Sequence, residues 1–495
     1  MKKLSELVFV NSFAGLSEDF YSRVQPSPMP SPYMISFSKN AAALIDLEPE
    51  EMASAMAARV FIGEEKLSGA DPLAMLYSGH QFGHYNPQLG DGRAIMLGEV
   101  MNAQGGRWEL QLKGAGPTPY SRSADGRAVL RSSVREYLCS EAMAGLGIPT
   151  TRALCLVGSD EEVYREQIES GAMLLRMAPS HVRFGSFEIF YYRHQYDRLK
   201  QLADYVIEHH YPELADQAEP YLALLREVVL RTARLMAQWQ LIGFSHGVMN
   251  TDNMSVLGLT LDYGPFGFLD RYDPGFICNH SDHEGRYAFD RQPSIGLWNL
   301  TCFAQALLPL LDEDNAEAAA EKAEAVLKEY EPKLIDSYAT GMRAKLGLRS
   351  VKDIDQALSA DLLDTMHQQQ VDFTLFFRNL GQLQAKNTNG DNMVRDLFID
   401  RSAFDAWAEK YRARLMAEGS EDIYRRENMQ QVNPKFVLRN HLAQQAIEKA
   451  QKKDYSEIER LLKVLSSPFD EHLADEDLAA LPPEWASEIS VSCSS

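Results

Sequence analysis

Residues suited to chemistry cluster in positions 245–264 of this 495-residue chain. Asn253 and Asp262 offer an amide oxygen and a carboxylate, and hard oxygen donors of this kind suit Mg²⁺. Asp252 is the carboxylate next to Asn253, so it is the candidate acceptor for a proton that leaves an attacking hydroxyl group. Two structural alternatives stay open, because Asp262 could instead form a turn and Asp252 could cap the loop.

The spacing of these residues resembles the catalytic loop of a protein kinase in which one part has been replaced. A kinase places an aspartate two residues after its histidine and an asparagine five residues beyond that aspartate. His246 and Asn253 keep these offsets, whereas Val248 stands where the kinase base would be. A site that keeps its metal ligands but lacks the usual base predicts nucleotide binding coupled to a different reaction.

A lysine and a glutamate upstream are the candidates for a phosphate-holding pair. Lys113 ends an alternating apolar strand at 109–113, and a kinase uses such a lysine, positioned by a helix glutamate, to hold nucleotide phosphates. Glu136 lies on the next predicted helix and is the expected partner. Ser133 and Glu136 also fit a capping box, in which Glu136 would bond only to backbone.

Two glycine-containing segments are candidate walls of a nucleotide pocket. Gly90, Gly92 and Arg93 precede the first strand, where glycines let backbone N–H groups approach a phosphate and an arginine offers a two-pronged donor. Asp125 and Gly126 lie in the next loop. A plain turn is the alternative for both segments.

Two further arginines are expected to neutralise a polyphosphate. Arg176 ends a hydrophobic strand, and Arg183 follows closely in the next segment. In an acidic protein, two neighbouring arginines favour phosphate binding over a surface role. A surface charge at the strand end is the alternative for Arg176.

The elements that must hold these residues have the order of a small, strand-rich lobe. Strands are predicted at 94–100 and 108–113, then a helix at 134–145, then strands at 153–157 and 172–178. Loops are expected at 77–85 and 114–132, and a short apolar strand at 259–261 before Asp262.

The rest of the chain is predicted to be mostly helical, at 197–209, 221–241, 297–311, 316–346, 351–383 and across much of 401–464. We therefore predict an α+β fold with the two lobes of a protein kinase, a small β-rich lobe and a large helical lobe, and with extensions at both ends. The expected division is 1–76 as an N-terminal extension, 77–190 as the small lobe with the nucleotide-binding loops, 191–400 as the large lobe with the catalytic loop and metal site, and 401–495 as a helical extension. Its tail after Pro468 is expected to be flexible until something holds it.

Composition narrows the class of protein. The formal net charge is −21, which argues against nucleic acid or an anionic membrane as the main partner, since both require a basic footprint. The 5 cysteines form no Cys-x-x-Cys pair, and no apolar run approaches the ~18 residues of a membrane span. The N-terminus matches neither a secretory signal nor an Arg-rich transit peptide. We expect a cytoplasmic protein with no nucleic-acid and no membrane partner.

Four unusual strings carry a family resemblance. They are Tyr-Ser-Gly-His-Gln-Phe-Gly at 77–83, Gln-Leu-Lys-Gly-Ala-Gly at 111–116, His-Gly-Val-Met-Asn-Thr-Asp-Asn-Met at 246–254 and Asn-Pro-Lys-Phe-Val-Leu-Arg-Asn at 433–440. Together they resemble the selenoprotein O family over nearly the whole chain. The resemblance implies a kinase-like fold that binds ATP in an inverted orientation. It also implies transfer of AMP, with release of pyrophosphate, to Ser, Thr or Tyr hydroxyls of proteins.

Carried over residue by residue, the resemblance implies a role for each candidate. Phosphates would be held by Lys113, Arg176 and Arg183, with Glu136 positioning Lys113. The nucleotide site would be lined by Gly90, Gly92, Arg93, Asp125, Gly126 and Asp262. Mg²⁺, with Mn²⁺ as an alternative, would be ligated by Asn253 and Asp262. The proton acceptor would be Asp252.

Two cysteines carry a redox hypothesis. Some members of the family have selenocysteine third from the C-terminus, where this chain has Cys493. Cys278 lies in the segment that follows Asp262, where kinases keep a regulatory loop. We expect that Cys493 can pair with Cys278 and restrain the site, and an inert terminal cysteine is the alternative.

Two other functions stay open on the sequence. One is a conventional ATP-dependent phosphotransferase with a displaced base, and the other is a non-catalytic pseudokinase that binds nucleotide and partners. Retention of Lys113, Glu136, Asn253 and Asp262 argues against the second, since a scaffold need not keep metal ligands. The resemblance points to redox-related protein substrates, although no docking motif in the sequence identifies them.

Overall fold

The computed structural model describes residues 1–492, which have an α+β fold. The strands are β1 (Tyr21–Arg23), β2 (Tyr33–Phe37), β3 (Leu73–Met75), β4 (Gly79–Gln81), β5 (His84–Asn86), β6 (Ala94–Met101), β7 (Arg107–Lys113), β8 (Ala128–Val129), β9 (Arg152–Tyr164), β10 (Ile168–Ala178), β11 (Phe244–Ser245) and β12 (Gly267–Phe268).

The α-helices are α1 (Lys39–Ala43), α2 (Pro49–Met52), α3 (Ala55–Phe61), α4 (Leu130–Gly145), α5 (Phe184–Tyr192), α6 (Tyr196–His210), α7 (Pro220–Ile242), α8 (Gln292–Leu311), α9 (Ala316–Leu327), α10 (Tyr330–Lys345), α11 (Ile354–Gln368), α12 (Phe373–Leu380), α13 (Asn392–Arg395), α14 (Arg401–Ala417), α15 (Asp422–Gln430), α16 (Asn440–Ala450) and α17 (Ser456–Leu465). Short 3₁₀ helices occur at Leu4–Glu6, Phe13–Gly15, Pro212–Leu214, Thr251–Asn253, Phe289–Arg291, Leu473–Ala479 and Glu484–Glu488.

The main sheet has the order β1-β3-β6-β7-β10-β9-β2, and β8 pairs with β10. All of its pairings are antiparallel. The predicted sequence of two strands, a helix and two strands is present as β6, β7, α4, β9 and β10. The first three strands come from residues 1–76, so the sheet extends into the segment predicted as an N-terminal extension.

Alternation along the central strands separates an apolar face from the face that bears the site. Leu110 and Leu112 on β7 lie in one apolar core with Leu175 of β10. Because side chains in a strand alternate between faces, Lys113 and Arg176 lie on the opposite face. That face packs against α4, whose apolar residues share a second core with the sheet.

Helices form the larger part of the chain beyond residue 183, as predicted. The long helix α7 packs against α8, α9 and α10 and ends just before β11. The predicted helices 316–346 and 351–383 are each divided in two. In the second, Asp372 accepts a hydrogen bond from Leu375 N at 2.9 Å and so starts α12 as a new helix.

By length and composition alone, one helix in the described part of the chain is long enough and apolar enough to cross a membrane. This stretch is Phe289–Leu311, with 23 residues and a hydropathy of 1.4. It is weak evidence, because 44% of it is buried inside the molecule and core helices of soluble proteins give the same result.

Two local predictions were wrong. Residues 77–85, expected to be a loop, contain the β4–β5 hairpin. Its polar side chains bond to other parts of the protein, so the apolar alternation that usually marks a strand is missing. Residues 259–261, expected to be a strand, contain only isolated bridges at Thr260. Positive φ angles at Gly258 (69°) and Asp262 (54°) stop the extended backbone on either side.

The segment after Pro468 was predicted to be flexible until something holds it, and in the described residues up to 492 the structure shows contacts that hold it. Asp475 lies 2.8 Å from Arg460 of α17. Val491 is buried, and its carbonyl oxygen accepts a hydrogen bond from His280 N at 2.8 Å. Ion pairs and buried side chains, among them Leu478 and Val491, therefore hold the tail, and neither is visible in a polar, proline-containing sequence. Cys493 lies outside the described residues.

Candidate active site

The predicted site residues converge on one cavity of about 850 Å³. Its wall includes Gly90, Gly92, Arg93, Lys113, Asp125, Gly126, Arg176, Arg183, Asp252, Asn253 and Asp262. Glu136 lies behind Lys113. Cys278 is placed below the loop that precedes Asp252, beside Ser245. The sheet thus supplies Lys113 and Arg176, and the loops after α7 supply Asp252 and Asp262.

The predicted pair of Lys113 and Glu136 is present. Lys113 Nζ bonds to Glu136 Oε2, and Arg176 Nε donates to Glu136 Oε1 at 2.6 Å. Helix α4 begins at Leu130, so Ser133 lies inside the helix and the capping-box alternative is excluded. Burial, together with the charge of Arg176, lowers the pKa of Lys113 to about 8.

Asp262 lies between two arginines. Arg176 Nη2 is 2.5 Å from Asp262 Oδ1, and Arg183 Nη1 is 2.9 Å from Oδ2. Burial alone would raise the pKa of Asp262, but the two arginines outweigh it and hold that pKa well below its usual range. Arg176 is itself buried, so the alternative of a surface charge at the strand end was wrong.

Arg183 links three parts of the site. It begins α5, and its guanidinium group stacks over the ring of Tyr77 at 4.4 Å. Its Nη1 donates to the carbonyl oxygen of Asp252 at 2.8 Å as well as to Asp262. The loop that carries Asp252 is therefore tied to the cationic wall through its backbone.

The turn at Gly90 is anchored from below. Gly90 has φ = 90°, and a Cβ atom there would lie 2.7 Å from the ring of Tyr120, so only glycine fits. The buried carboxylate of Asp91 accepts hydrogen bonds from Met75 N at 3.0 Å and Tyr77 OH at 3.2 Å. The segment is therefore a turn that lines the cavity, and its contact with a nucleotide stays a prediction.

The loop at Asp125 and Gly126 folds against another glycine loop. Gly126 has φ = 69°, and a Cβ atom there would lie 2.1 Å from the carbonyl oxygen of Gly116. Asp125 pairs with Arg165 at 2.7 Å. Arg165 also lines the cavity, so the loop brings a further cation to its rim.

Asp252 has the environment expected of a base. It lies in the 3₁₀ turn Thr251–Asn253 and is 8% exposed. Within residues 1–492, its Oδ1 has no hydrogen-bond partner, while Gln81 Nε2 lies 3.4 Å from Oδ2. Burial raises the pKa of Asp252 to about 7. A buried carboxylate with a free oxygen on the cavity wall favours proton acceptance over loop capping.

The kinase-like spacing of His246 and Asn253 has a structural basis. The His246 ring is buried, stacks on Trp239 at 5.3 Å and bonds through Nε2 to the carbonyl oxygen of Leu261 at 2.7 Å. Asn253 Nδ2 donates to the carbonyl oxygen of Val248 at 3.0 Å. This bond leaves Asn253 Oδ1 as the amide atom suited to a cation.

The donor set fits Mg²⁺. Asn253 and Asp262 both line the cavity and offer hard oxygen atoms, and Asp262 is held in its ionised form. The unpartnered Oδ1 of Asp252 is a third oxygen on the same wall. The arginines now paired with Asp262 must share or release its carboxylate when a cation binds there.

Cys278 is a buried thiol below the catalytic loop. Its Sγ donates to Ser245 Oγ at 3.4 Å, and burial raises its pKa to about 12. The tail approaches this segment through the bond between Val491 and His280. The pairing of Cys278 with Cys493 stays a prediction, since Cys493 lies outside the described residues.

Comparison with known proteins decides the family. A family model described as protein adenylyltransferase SelO matches residues 3–466. This chain belongs to the SelO family. It is 59% identical over 495 residues to a protein of Thioalkalivibrio sulfidiphilus (strain HL-EbGR7), covering 100% of both chains. It is 55% identical over 495 residues to one of Myxococcus xanthus (strain DK1622), again covering 100% of both. Both carry the name protein nucleotidyltransferase YdiU, and the family prediction is confirmed.

Several residues of this SelO-family site were missed by sequence reasoning. Tyr77, Gln81 and Tyr120 line the cavity, and Thr251 and Glu188 lie directly behind Asp252. The segment 77–83 was expected to be a loop and was singled out only for the family resemblance. The available signal was the unusual composition of residues 77–83, which precede the predicted nucleotide-binding segment at Gly90 by only a few residues.

Proposed function

We propose that this protein transfers AMP from ATP to Ser, Thr or Tyr hydroxyls of protein substrates and releases pyrophosphate. The chain is a protein nucleotidyltransferase, as the sequence predicted, and ATP is accordingly its substrate. The observation that carries the finer proposal is the environment of Asp252. Its buried carboxylate has an oxygen without a hydrogen-bond partner in residues 1–492, and it lines the same cavity as Val248, which occupies the position of the kinase base.

We propose that the fold is kinase-like, with two lobes around the cavity, and that ATP binds there inverted. The support is local: a strand lysine paired with a helix glutamate, and a catalytic loop that follows the long helix α7. In the inverted orientation the α-phosphate, rather than the γ-phosphate, lies beside Asp252.

The cations of the wall suit pyrophosphate as the leaving group. Cleavage between the α- and β-phosphorus atoms places developing negative charge on pyrophosphate, and preorganised cations stabilise such charge. Lys113, Arg176 and Arg183 supply three of them on one wall. When phosphate oxygens replace Asp262 as the partners of Arg176 and Arg183, the carboxylate of Asp262 becomes available to bind a cation.

A bound metal ion would contribute positive charge to the reaction and would take no part in proton transfer. Mg²⁺ held by Asn253 and Asp262 would act as a Lewis acid on the phosphate oxygens. Mn²⁺ accepts the same oxygen donors and is the alternative.

The chemical step uses Asp252 as the proton acceptor. The hydroxyl oxygen of the substrate protein attacks the α-phosphorus atom, and its proton passes to Asp252 Oδ1. The electron pair of the bond between the α-phosphorus and the bridging oxygen leaves with pyrophosphate. Residue 248 is valine, which cannot perform this role.

We also propose a cytoplasmic protein that acts on redox-related protein substrates, without nucleic acid or membrane as a partner. The net charge of −21 supports the exclusion of nucleic acid. The hypotheses of a phosphotransferase and of a non-catalytic pseudokinase gain no specific support from the geometry.

The proposal is tested with ATP labelled at the α- or the γ-phosphate. The purified protein is incubated with Mg²⁺ and with a cell lysate as the source of acceptor proteins, and protein-bound label is counted. We expect label from α-labelled ATP only, and its loss in Asp262→Ala. Label from γ-labelled ATP only would identify a kinase and contradict the proposal.

A further inference from the structure

The β4–β5 hairpin lies directly on the loop that carries Asp252. His80 N donates a hydrogen bond to Thr251 Oγ1 at 2.7 Å, and Phe82 N donates to Asn250 Oδ1 at 3.2 Å. Gln81 Nε2 lies 3.4 Å from Asp252 Oδ2. Three successive hairpin residues thus contact three successive loop residues, far apart in the sequence.

A buried glutamate completes this contact from the other side. Glu188 of α5 has a fully buried side chain. Its Oε2 accepts a hydrogen bond from Thr251 Oγ1 at 2.5 Å, and its Oε1 bonds to His80 Nδ1 at 2.7 Å. The Thr251 hydroxyl therefore donates to Glu188 and accepts from His80 N, which fixes its rotamer.

The backbones in this region are packed too closely for the loop to shift freely. A Cβ atom on Gly79 would lie 3.0 Å from Cβ, N and Oδ1 of Asp252. A Cβ atom on Gly185, at the start of α5, would lie 2.0 Å from the carbonyl oxygen of Ser78. Hairpin, helix and loop are therefore in direct contact beside Asp252.

We propose that Glu188, Thr251 and His80 form a positioning clamp that holds Asp252 at the α-phosphate. The clamp rests on the proposed function of Asp252. None of the three lines the cavity, so they act through Asp252 and not on the substrate. The only side-chain hydroxyl adjacent to Asp252 in the sequence is that of Thr251, so fixing this hydroxyl fixes the backbone that carries the base.

A metal site is the competing explanation for these residues. Donor atoms of His80, Glu188 and Cys302 lie within 4.8 Å of one another. The hydrogen bonds already account for His80 and Glu188, whereas Cys302 belongs only to the metal explanation. Burial raises the pKa of the Cys302 thiol to about 12, so a metal would have to displace a tightly held proton there.

The test compares Thr251→Val with Thr251→Ser in the full-length protein. Valine keeps the shape but removes the hydroxyl, and serine keeps the hydroxyl. We expect Thr251→Val to lower kcat for AMP transfer by about 100-fold, because small misplacement of a catalytic group costs roughly this much. The Kd for ATP should stay close to wild type, whereas the Tm without ATP should fall, because valine leaves Glu188 Oε2 and His80 N without this hydrogen-bond partner. Thr251→Ser should keep kcat within about threefold.

Cys302→Ser is the matched control on the same cluster. The clamp predicts a wild-type rate for this variant and no bound transition metal in elemental analysis of the purified protein. Stoichiometric zinc that is lost in Cys302→Ser, together with lost activity, would overturn the clamp in favour of a metal site.

Two other results would also overturn the clamp: a wild-type kcat in Thr251→Val, or an equal loss of kcat in the valine and serine variants. If Thr251→Val does not fold, Glu188→Gln is measured instead and the same reduction in kcat is expected. Failure of the proposed function is distinguishable, because then the wild-type protein would itself transfer no AMP.

Discussion

At the residue scale, burial and neighbouring charges shift the pKa values of two aspartates in opposite directions, and each aspartate thereby suits a different role. Asp262 is kept ionised by Arg176 and Arg183, while Asp252 has a pKa raised to about 7 by burial. A carboxylate that is always charged suits a cation, and one that titrates near neutrality suits proton transfer.

Replacing the proposed base, Asp252, should lower the rate of the chemical step and leave ATP binding almost unchanged. We expect Asp252→Asn to lower kcat for AMP transfer by about 100- to 10,000-fold, the usual contribution of a general base. The Kd for ATP, measured by calorimetry, should change by less than about threefold, since the phosphates are held by other residues. A variant with near wild-type kcat would show that another group accepts the proton.

The pH dependence follows from the same carboxylate. Only ionised Asp252 accepts a proton, so kcat/KM should rise about tenfold per pH unit below the pKa and level off above it. The expected midpoint is about 7. Mg²⁺ bound next to Asp252 favours its charged form, so the midpoint should fall as the Mg²⁺ concentration is raised. A rate that is independent of pH between about 5.5 and about 8 would contradict this role.

The pairing of Asp262 with the arginines predicts coupled binding of nucleotide and metal. Asp262→Asn removes the charge that occupies Arg176 and Arg183, so metal-free ATP should bind about tenfold more tightly than to wild type, the value of one charge-assisted hydrogen bond. Added Mg²⁺ should strengthen ATP binding in wild type but not in the variant. Calorimetry with and without Mg²⁺ measures both effects. If Asp262→Asn bound metal-free ATP more weakly than wild type, Asp262 and the phosphates could not be competing for Arg176 and Arg183.

The sequence predicted the residues whose type and spacing are local, and missed those that depend on long-range contacts. Lys113, Glu136, Asn253 and Asp262 could be found because a strand lysine, a helix glutamate and the loop offsets follow regular patterns. Thr251 was missed because its role depends on Glu188, which contacts it from a separate helix.

At the scale of elements, strand register brings the cations together. Leu174 is paired with Lys113, and Arg176 with Gln111, between β10 and β7. Ala94, which follows Arg93, is paired with Lys113 between β6 and β7. These strands were predicted from the sequence, but the register between them was not, because it depends on the pairing of both strands and on the turns that join them, and not on either strand alone.

The glycine loop beside Asp125 should be intolerant of a side chain. Gly126→Ala places a Cβ atom 2.1 Å from the carbonyl oxygen of Gly116 at a φ of 69°. We expect a loss of about 3 kcal/mol or more in unfolding free energy, from strain and overpacking together. We also expect weaker ATP binding, because the loop lines the cavity.

Gly105→Ala is the matched control for Gly126→Ala. Gly105 also has a positive φ, of 83°, but no atom lies within 4 Å of a Cβ atom there. It should lose only about 1 kcal/mol, from backbone strain. Chemical denaturation measures the unfolding free energy of both variants. Equal decreases would show that the contact with Gly116 does not contribute to the destabilisation of Gly126→Ala.

At the scale of the whole molecule, an acidic chain surrounds a cationic cavity. The net charge is −21, yet Arg93, Lys113, Arg165, Arg176 and Arg183 line one cavity. An overall negative charge disfavours nonspecific binding of polyanions, while cations gathered in one cavity keep ATP binding local. Composition alone argued against nucleic acid as the main partner, but only the fold concentrates these cations.

The terminal segment links distant parts of the chain and was the least predictable. Its sequence is polar, yet Val491 bonds to His280 close to Cys278. We expect peptide mapping after mild oxidation to recover Cys278 joined to Cys493, with lower AMP transfer that returns on reduction. The thiol of Cys278 has a pKa raised to about 12, so the reaction should be slow near neutral pH. Free Cys278 in fully oxidised protein would exclude the pairing.

The central claim is that ATP lies inverted, with its α-phosphate at Asp252. The most direct measurement is an experimental structure of the protein with Mg²⁺ and an ATP analogue that cannot be cleaved between the α- and β-phosphates. We predict the α-phosphorus atom beside Asp252 Oδ1, with Lys113, Arg176 and Arg183 on the β- and γ-phosphates and Mg²⁺ on Asn253 and Asp262. A γ-phosphate beside Asp252, with the α-phosphate at the far end of the cavity, would contradict the account and indicate a conventional phosphotransferase.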